Sequence, residues 1–283
     1  MLFSKSSMEH FSFSKTAAIR EFWDRASCGE TLYLHGREAA DYEKQAQTRY
    51  SLEPEIEGFA QFDASKGKAV LEIGVGLGTD HERFARAGAN LHGIDLTPRA
   101  IENSRARFDA FGLKSDLRVG NAQRLTYPDA TFDLVYSWGV IHHADDTARC
   151  AQEIMRVLKP GGRFAVMIYH RHSMVGYMLW IRYALAMGKP WKSLDHIYAR
   201  YLESPNTKAY SPDEARAMFA AAERVNVSIV LTHGDLLEGA AGQRHEGRLL
   251  RLARKVWPRT LIRKLFSGHG LFLLIDGHKR LTD

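Results

Sequence analysis

The chain has 283 residues, 45% hydrophobic and 25% charged, with only 8 prolines; this excludes disordered and collagenous classes and leaves room for one large domain or two modest ones. Lysine and arginine exceed aspartate and glutamate by 39 to 33, and the resulting +6 is too mild to imply a nucleic-acid partner. Two distant cysteines, Cys28 and Cys150, exclude a disulfide scaffold and a close-spaced zinc motif, so a reducing, cytoplasmic setting is expected.

The opening MLFSKSSMEHFSFSK mixes charge into its apolar residues and builds no signal-peptide core. Thr16 to Arg25 and Arg37 to Phe62 read as largely helical, with a break before Pro54, and give an N-terminal helical cover over residues 1–64. The strand pattern begins after Lys68. Ala69 to Ile73 runs into Gly74, Gly76 and Gly78, and a helix from Thr79 to Ala87 ends at Gly88. Ala89 to Asp95 is a second strand, followed by Thr97 and Pro98 as N-cap and first residue of a helix to about Phe111. Strands near 116–119 and 132–137 follow, then a helix from about Asp146 to Leu158, a stop at Lys159 to Gly162, and a fifth strand from Arg163 to Tyr169. A sixth strand is expected over Val225 to Thr232 and a seventh over Leu271 to Ile275, with Ser211 and Glu214 forming a capping box between the fifth and sixth. The expected class is α/β: a mostly parallel seven-stranded sheet with helices on both faces, occupying residues 65–283.

Two stretches exceed an ordinary connection. Residues 170–209 read as an inserted helical cap, because typical connections have a median of only about 4–6 residues. Residues 233–269 form a basic elaboration, with arginines and lysines from Arg244 to Lys264 around an apolar helical stripe at Leu249 to Trp257. The longest apolar run, Tyr177 to Met187, is too short for a membrane span and carries Arg182, while peripheral membrane contact stays open.

The chemistry concentrates at strand ends. Glu72, Gly74, Gly76 and Gly78 let backbone amides approach a ligand closely. A dinucleotide loop of the G-x-G-x-x-G form would need glycine where Thr79 stands, and Glu72 would face an anionic phosphate unfavourably but suit a positively charged ligand. Asp95 can accept from two vicinal ribose hydroxyls, and Asn121 with Ala122 can read an adenine amino group and ring nitrogen. Leu96 and Ser137 are expected on the same wall. Through VLEIGVGLGTD (Val70 to Asp80), GIDL (Gly93 to Leu96), GNAQRLTYPDATFDLVYSWGVIHHADD (Gly120 to Asp146) and EIMRVLKPGGRF (Glu153 to Phe164), the chain resembles the class I S-adenosylmethionine-dependent methyltransferases.

That resemblance covers Lys68 to Tyr169 well and implies a Rossmann-like fold with S-adenosylmethionine as cofactor. It implies that Glu72, Gly74, Gly76 and Gly78 face the methionine half, Asp95 the ribose, and Asn121 and Ala122 the adenine. Many members carry aspartate where this chain has Asn121. The His142–His143 pair ends the fourth strand segment, and His142 is expected to remove a proton from the acceptor, with His143 packing or capping. His143, Tyr169, His170, His172 and Tyr210 are candidate substrate contacts. No metal is expected, since these histidines show no ligand spacing with a carboxylate. The expected reaction is methyl transfer to an O, N, S or C atom of a small, partly apolar molecule, with release of S-adenosylhomocysteine. An RNA-modifying enzyme and a noncatalytic cofactor-binding scaffold are the alternatives; no stable nucleic-acid partner is expected, and the sequence leaves the oligomeric state open.

Overall fold

A computed structural model describes residues 16–238 and 254–281. The opening fifteen residues, the arginines from Arg244 to Arg251 and the start of the Leu249 to Trp257 stripe lie outside these residues. The cover consists of α1 (16–25), α2 (Glu30–Tyr33), α3 (Ala39–Leu52) and α4 (Glu55–Ala60). The sheet unit then runs β1 (Ala69–Ile73), α5 (Thr79–Arg86), β2 (Asn90–Asp95), α6 (Pro98–Ala110), β3 (Asp116–Val119), β4 (Phe132–Trp138), α7 (Thr147–Val157) and β5 (Leu158–Tyr169). The cap holds α8 (Met174–Tyr183) and α9 (Leu194–Tyr201), and α10 (Pro212–Met218), β6 (Ala222–Val230), α11 (Arg259–Leu265) and β7 (Phe272–Lys279) complete the described chain.

The seven strands form one sheet in the order β3-β2-β1-β4-β5-β7-β6. Pairs among the first five positions are parallel, whereas β7 is antiparallel to both β5 and β6. The order reverses between β1 and β4, which opens a crevice at their C-terminal ends. Side chains alternate across the sheet with period two. Val70, Tyr136, Met167 and Leu274 join the layer beneath the cover and cap, while Leu71, Val135, Val166 and Ile275 join the layer beneath α7 and α10.

Caps fix the helix starts where the sequence placed them. Thr97 Oγ1 accepts from Ala100 N, Asp146 Oδ1 accepts from Arg149 N, and Ser211 and Glu214 exchange both bonds of a capping box. One boundary moves. The strand expected from Arg163 starts at Leu158, because Leu158 already pairs with Phe132 before an irregularity in the register restores pairing at Leu134 and Arg163.

Buried polar bonds attach the cover and the cap to this frame. Arg107, fully buried on α6, donates to Glu82 of α5, to Gln45 Oε1 and the Tyr42 carbonyl of α3, and to Thr79. Asp235 accepts from Val175 N of the cap, from Thr232 N and Oγ1, and from Leu271 N beside β7. A buried carboxylate with four donors is stable only where the three segments that supply them hold their places. No helix among the described residues is long and apolar enough to cross a membrane.

At the β6–β7 contact, a Cβ on Gly277 would stand 2.1 Å from the Arg224 carbonyl oxygen. Gly277→Ala is therefore expected to lower stability by about 1–3 kcal/mol, read as a drop in the urea midpoint; an unchanged midpoint would show that the two strands can separate freely there.

Candidate functional site

A cavity of about 870 Å³ lies at the C-terminal ends of β1, β2 and β4, roofed by α1, α3 and the cap. Pockets for small organic ligands typically measure roughly 300–1,000 Å³, so this space is of ligand-binding size. Of the residues expected at the cofactor, Glu72, Gly74, Gly76, Asp95, Leu96, Asn121 and Ala122 line it. Gly78 and Ser137 do not: Gly78 is the left-handed N-cap of α5, and buried Ser137 donates to the Ile73 carbonyl.

The glycine loop is shaped by two different demands. A Cβ on Gly74 would strike Val140 at 2.1 Å, so this glycine serves close packing against the segment after β4. At Gly76, with φ +52°, a Cβ would meet nothing within 4 Å, and the missing side chain leaves the cavity wall open at that point. Asp95 closes the loop's far side. Its Oδ2 accepts from Gly76 N at 3.2 Å and its Oδ1 from Thr97 N and Oγ1 at 3.0 Å, which leaves accepting capacity toward the cavity. Burial raises the Asp95 carboxyl above the ordinary range, against these hydrogen bonds. Asn121 Oδ1 accepts from Gln123 N at 2.9 Å, so its side chain also braces the turn it occupies. An open backbone cradle, a fixed carboxylate one strand away and an amide at the next strand end fit the methionine, ribose and adenine parts of S-adenosylmethionine.

Glu72 has a buried partner that the sequence reading did not foresee. His81 Nε2 lies 2.7 Å from Ser115 Oγ, whose own proton goes to the Leu91 carbonyl, so that hydroxyl can only accept from the ring. Burial pushes His81 down to about 3, leaving Nδ1 as an acceptor 2.9 Å from Glu72 Oε2. The proton between them therefore belongs to Glu72, whose carboxyl is raised well above its usual range by burial and by nearby Asp80.

Asp80 is the opposite case. Its carboxylate accepts from Arg49 Nε and NH2 at 3.1 and 2.8 Å, from Tyr50 OH at 3.1 Å and from Tyr136 OH at 2.9 Å. Burial alone would raise it, but the Arg49 charge and these donors hold it below the ordinary carboxylate range. Arg49 also faces Glu53, which accepts from Trp138 Nε1. The expected helical cover thus supplies charged cavity residues, Arg49 and Glu53, that periodicity alone could not single out.

The other end of the cavity is aromatic and histidine-rich. Trp23 meets His143 edge-on at 5.3 Å, and Tyr169 OH donates to Glu203 Oε2 at 2.8 Å. His143 Nε2 stands 3.5 Å from the same Glu203 oxygen, and its Nδ1 contacts Ser204 Oγ at 2.8 Å. His143, Tyr169, Glu203 and Cys28 line the cavity; His142 does not. The short 3-10 turn Ile141–His143 turns the His142 ring inward against His143 and Tyr169, each 4.1 Å away, so the residue expected to face the acceptor is fully buried. Burial, then His143 and Lys208, push its ring well below the ordinary value and keep it neutral. Cys28 is exposed and borders the cavity, and enclosure there, then Glu203 and Glu53, pushes its thiol up to about 12, so it stays protonated at neutral pH.

Three other expected contacts fall away from the cavity wall. His170 Nδ1 lies 3.1 Å from the Gly270 carbonyl, His172 is exposed with its carbonyl 3.1 Å from His269 Nδ1, and Tyr210 OH donates to Thr147 Oγ1. None of the three lines the cavity. Glu203 and His233, both cavity residues, had no sequence signal, since each lies in an irregular segment.

Residues 71–166 match a family model described as a methyltransferase domain. A demethylmenaquinone methyltransferase of Tropheryma whipplei is 31% identical over 207 residues, covering 66% of this chain and 84% of the relative. Among solved structures, the methyltransferase complexed with the Trm112 activator of Haloferax volcanii superposes with a TM-score of 0.56 at 19% identity, covering 84% of this chain and 97% of that one. A SAM-dependent methyltransferase of Thermotoga maritima gives 0.51 at 19% identity, with 93% and 100% covered. The chain belongs to the class I S-adenosylmethionine-dependent methyltransferases. S-adenosylmethionine is its cofactor, and supplies the methyl group on a positively charged sulfur.

Replacing Arg49 with Met is expected to leave Asp80 buried without its cation and to lower stability by about 3 kcal/mol at pH 7, the lower end for a broken buried pair because Arg49 keeps 25% of its exposure. Asp80 titrates lower in the folded chain than in the unfolded one, so the stability it contributes is present above its unfolded value and is lost as pH falls through the folded one. Urea unfolding of both proteins across this range should show the deficit shrinking in acid. An equal deficit at both ends would mean that Arg49 acts by packing alone.

Proposed function

We propose that this enzyme methylates a nucleophilic atom of a small, partly apolar molecule bound between the N-terminal cover and the cap. The observation that carries this reading is the extension of the cavity beyond the cofactor wall into a space lined by Phe22, Trp23, Met178, Leu179 and Phe272. A folded nucleic acid does not fit an enclosed apolar space of this size, whereas a ring or short chain does. The relative from Tropheryma whipplei supports an acceptor of that kind, since its name gives demethylmenaquinone as what it methylates. Beside the cavity residues Ile181 and Arg182, the cap exposes Leu185, Met187 and Trp191, an apolar surface next to the acceptor space. Two free cysteines among the described residues suit a cytoplasmic enzyme.

In this reading, Asp95 holds the ribose hydroxyls, Leu96, Asn121 and Ala122 enclose the adenine, and Gly74, Gly76 and Glu72 surround the methionine end. Ionised Asp80 lies behind that end, and its charge favours a cationic sulfur over the neutral thioether product. The cover and cap exclude water and align the acceptor, which accounts for much of the acceleration expected of a direct transfer. Where the acceptor carries a proton, its removal falls to the His143–Glu203 side, since His142 has no face on the cavity. Tyr169 positions Glu203 there.

Incubating the protein with methyl-labelled cofactor and an extract containing both metabolites and RNA is expected to label an organic-soluble small molecule. Label in RNA alone would overturn the substrate class, and cofactor binding with no labelled product at all would favour the scaffold alternative. Asp95→Ala is expected to weaken cofactor binding by about tenfold or more in calorimetry, with Asp95→Asn intermediate, because a charged acceptor for two hydroxyls is lost. An unchanged dissociation constant would remove Asp95 from the ribose.

A further inference from the structure

We propose that His142, His143 and Glu203 form a binding site for a divalent transition-metal ion of the zinc class, open on its fourth side to the acceptor space. One ligand atom from each of the three residues lies within 4.8 Å of the others. Ligands of a tetrahedral zinc ion stand roughly 3.3 Å apart, given metal–nitrogen distances near 2.0–2.1 Å, so ion binding would draw the three ligand atoms together by side-chain rotation. The first two residues come from the turn after β4 and the third from the end of the cap, so the site exists only when the cap is docked.

The second line of argument is what these nitrogens lack. Both ring nitrogens of His142 and Nε2 of His143 are buried without a hydrogen-bond partner. A buried polar atom left unmatched costs about 1–3 kcal/mol, and one ion would match one of these nitrogens on each ring, leaving the second His142 nitrogen as the single unmatched atom. Packing does not require them, because a phenylalanine at position 142 would fill the same space against Tyr169.

The surroundings also accommodate a metal-ligating tautomer. Thr207 Oγ1 gives its proton to the Ser204 carbonyl at 2.7 Å, so toward His143 Nδ1, 3.2 Å away, it can only accept. A proton on Nδ1, shared with Thr207 Oγ1 and with Ser204 Oγ at 2.8 Å, leaves the Nε2 lone pair directed to the Glu203 side. Metal-bound histidines are commonly oriented by such a bond at the other nitrogen. Tyr169 OH, donating to Glu203 Oε2, fixes the carboxylate in the same manner. Two imidazoles and one carboxylate with a vacant position form a ligand set typical of catalytic zinc, and their borderline softness disfavours magnesium or calcium.

The use made of the ion rests on the methyl-transfer reading, whereas its binding does not. An acceptor hydroxyl or thiol at the fourth position would lose its proton to solvent at neutral pH. Its lone pair would then form the bond to the methyl carbon while the carbon–sulfur pair returns to sulfur, giving neutral S-adenosylhomocysteine. The ion changes neither charge nor oxidation state.

The test uses the full chain, purified without a polyhistidine tag, stripped with a chelator and titrated with cobalt(II) in the absence of cofactor and acceptor. The expected result is one cobalt per chain, a visible ligand-field band and stoichiometric displacement by zinc. Glu203→Gln, His143→Ala and His142→Phe are each expected to weaken binding at least tenfold, and Ser204→Ala by a smaller factor. X-ray absorption of the zinc form of the wild-type chain should resolve two imidazoles and one carboxylate, and this reading holds even where a variant fails to fold. Absence of stoichiometric cobalt, a band unchanged in folded Glu203→Gln and His143→Ala, or a coordination shell lacking imidazole would each overturn the site. A methyltransferase that binds no metal would leave the substrate class standing, and a metal-binding chain that labels only RNA would leave the metal site standing.

Discussion

The enclosure of the cavity depends on a buried carboxylate in the first turn of α5. Asp80 keeps its charge only because Arg49 and Tyr50 of the cover and Tyr136 of β4 all donate to it. If α3 moved away, an ionised group with 2% side-chain exposure would lose its counter-charge and two of its donors. Arg107 adds a second attachment, with a fully buried guanidinium shared between α3 and the helices behind the glycine loop. Both bonds use residues immediately after that loop, so the helix turn that shapes the cofactor wall also fastens its roof. The cover is part of the folded core, and opening it carries the penalty of exposing mismatched buried charge.

The same contact divides the local charge. Glu72 and Asp80 are neighbouring carboxylates that cannot both be ionised easily in a buried site. Arg49 and two tyrosines stabilise the charge on Asp80, while neutral His81 leaves the proton on Glu72. The wall around Glu72 and Asp80 therefore carries one fixed negative charge and one hydrogen-bonded neutral acid. That combination favours a single positive centre, but the charge expected on Glu72 is carried by Asp80 instead.

The sheet was legible because its signals are local and repeated: strands of apolar residues bounded by Gly74, Gly88, Asp95 and Gly161, and caps at Thr97, Asp146 and Ser211. Glu72, Gly76 and Asp95 could be placed at the cavity for the same reason, since a strand end in a parallel sheet has a fixed position relative to its neighbours. The legibility fails where the backbone leaves that frame. His142 and His143 are adjacent, and which of them faces the cavity is decided by the 3-10 turn that carries them, a rotation that no hydrophobic period encodes. Tyr169, the last residue of β5, still reaches the cavity, whereas just beyond it His170 is buried against the Gly270 carbonyl and His172 faces outward. Glu203 and Arg49 have no sequence mark, because their positions follow from long-range docking onto the sheet.

The division has a chemical counterpart. The strand ends that line one half of the cavity belong to a frame shared with proteins of 19% identity, and that likeness shows the fold alone. The acceptor half is built from α1, the cap and the segment after β6, joined to the frame through Asp235 and the Tyr198 hydroxyl, which donates to the carbonyls of His170 and Arg171. These joints bury polar atoms with complete partners. The His142–His143–Glu203 cluster, set between such fully matched joints, leaves three ring nitrogens unmatched. Single atoms elsewhere, such as Asp145 Oδ1 and His233 Nδ1, also lack partners, but here three unmatched nitrogens fall on two adjacent residues beside the cavity, and such a concentration is where a ligand would find its bonds.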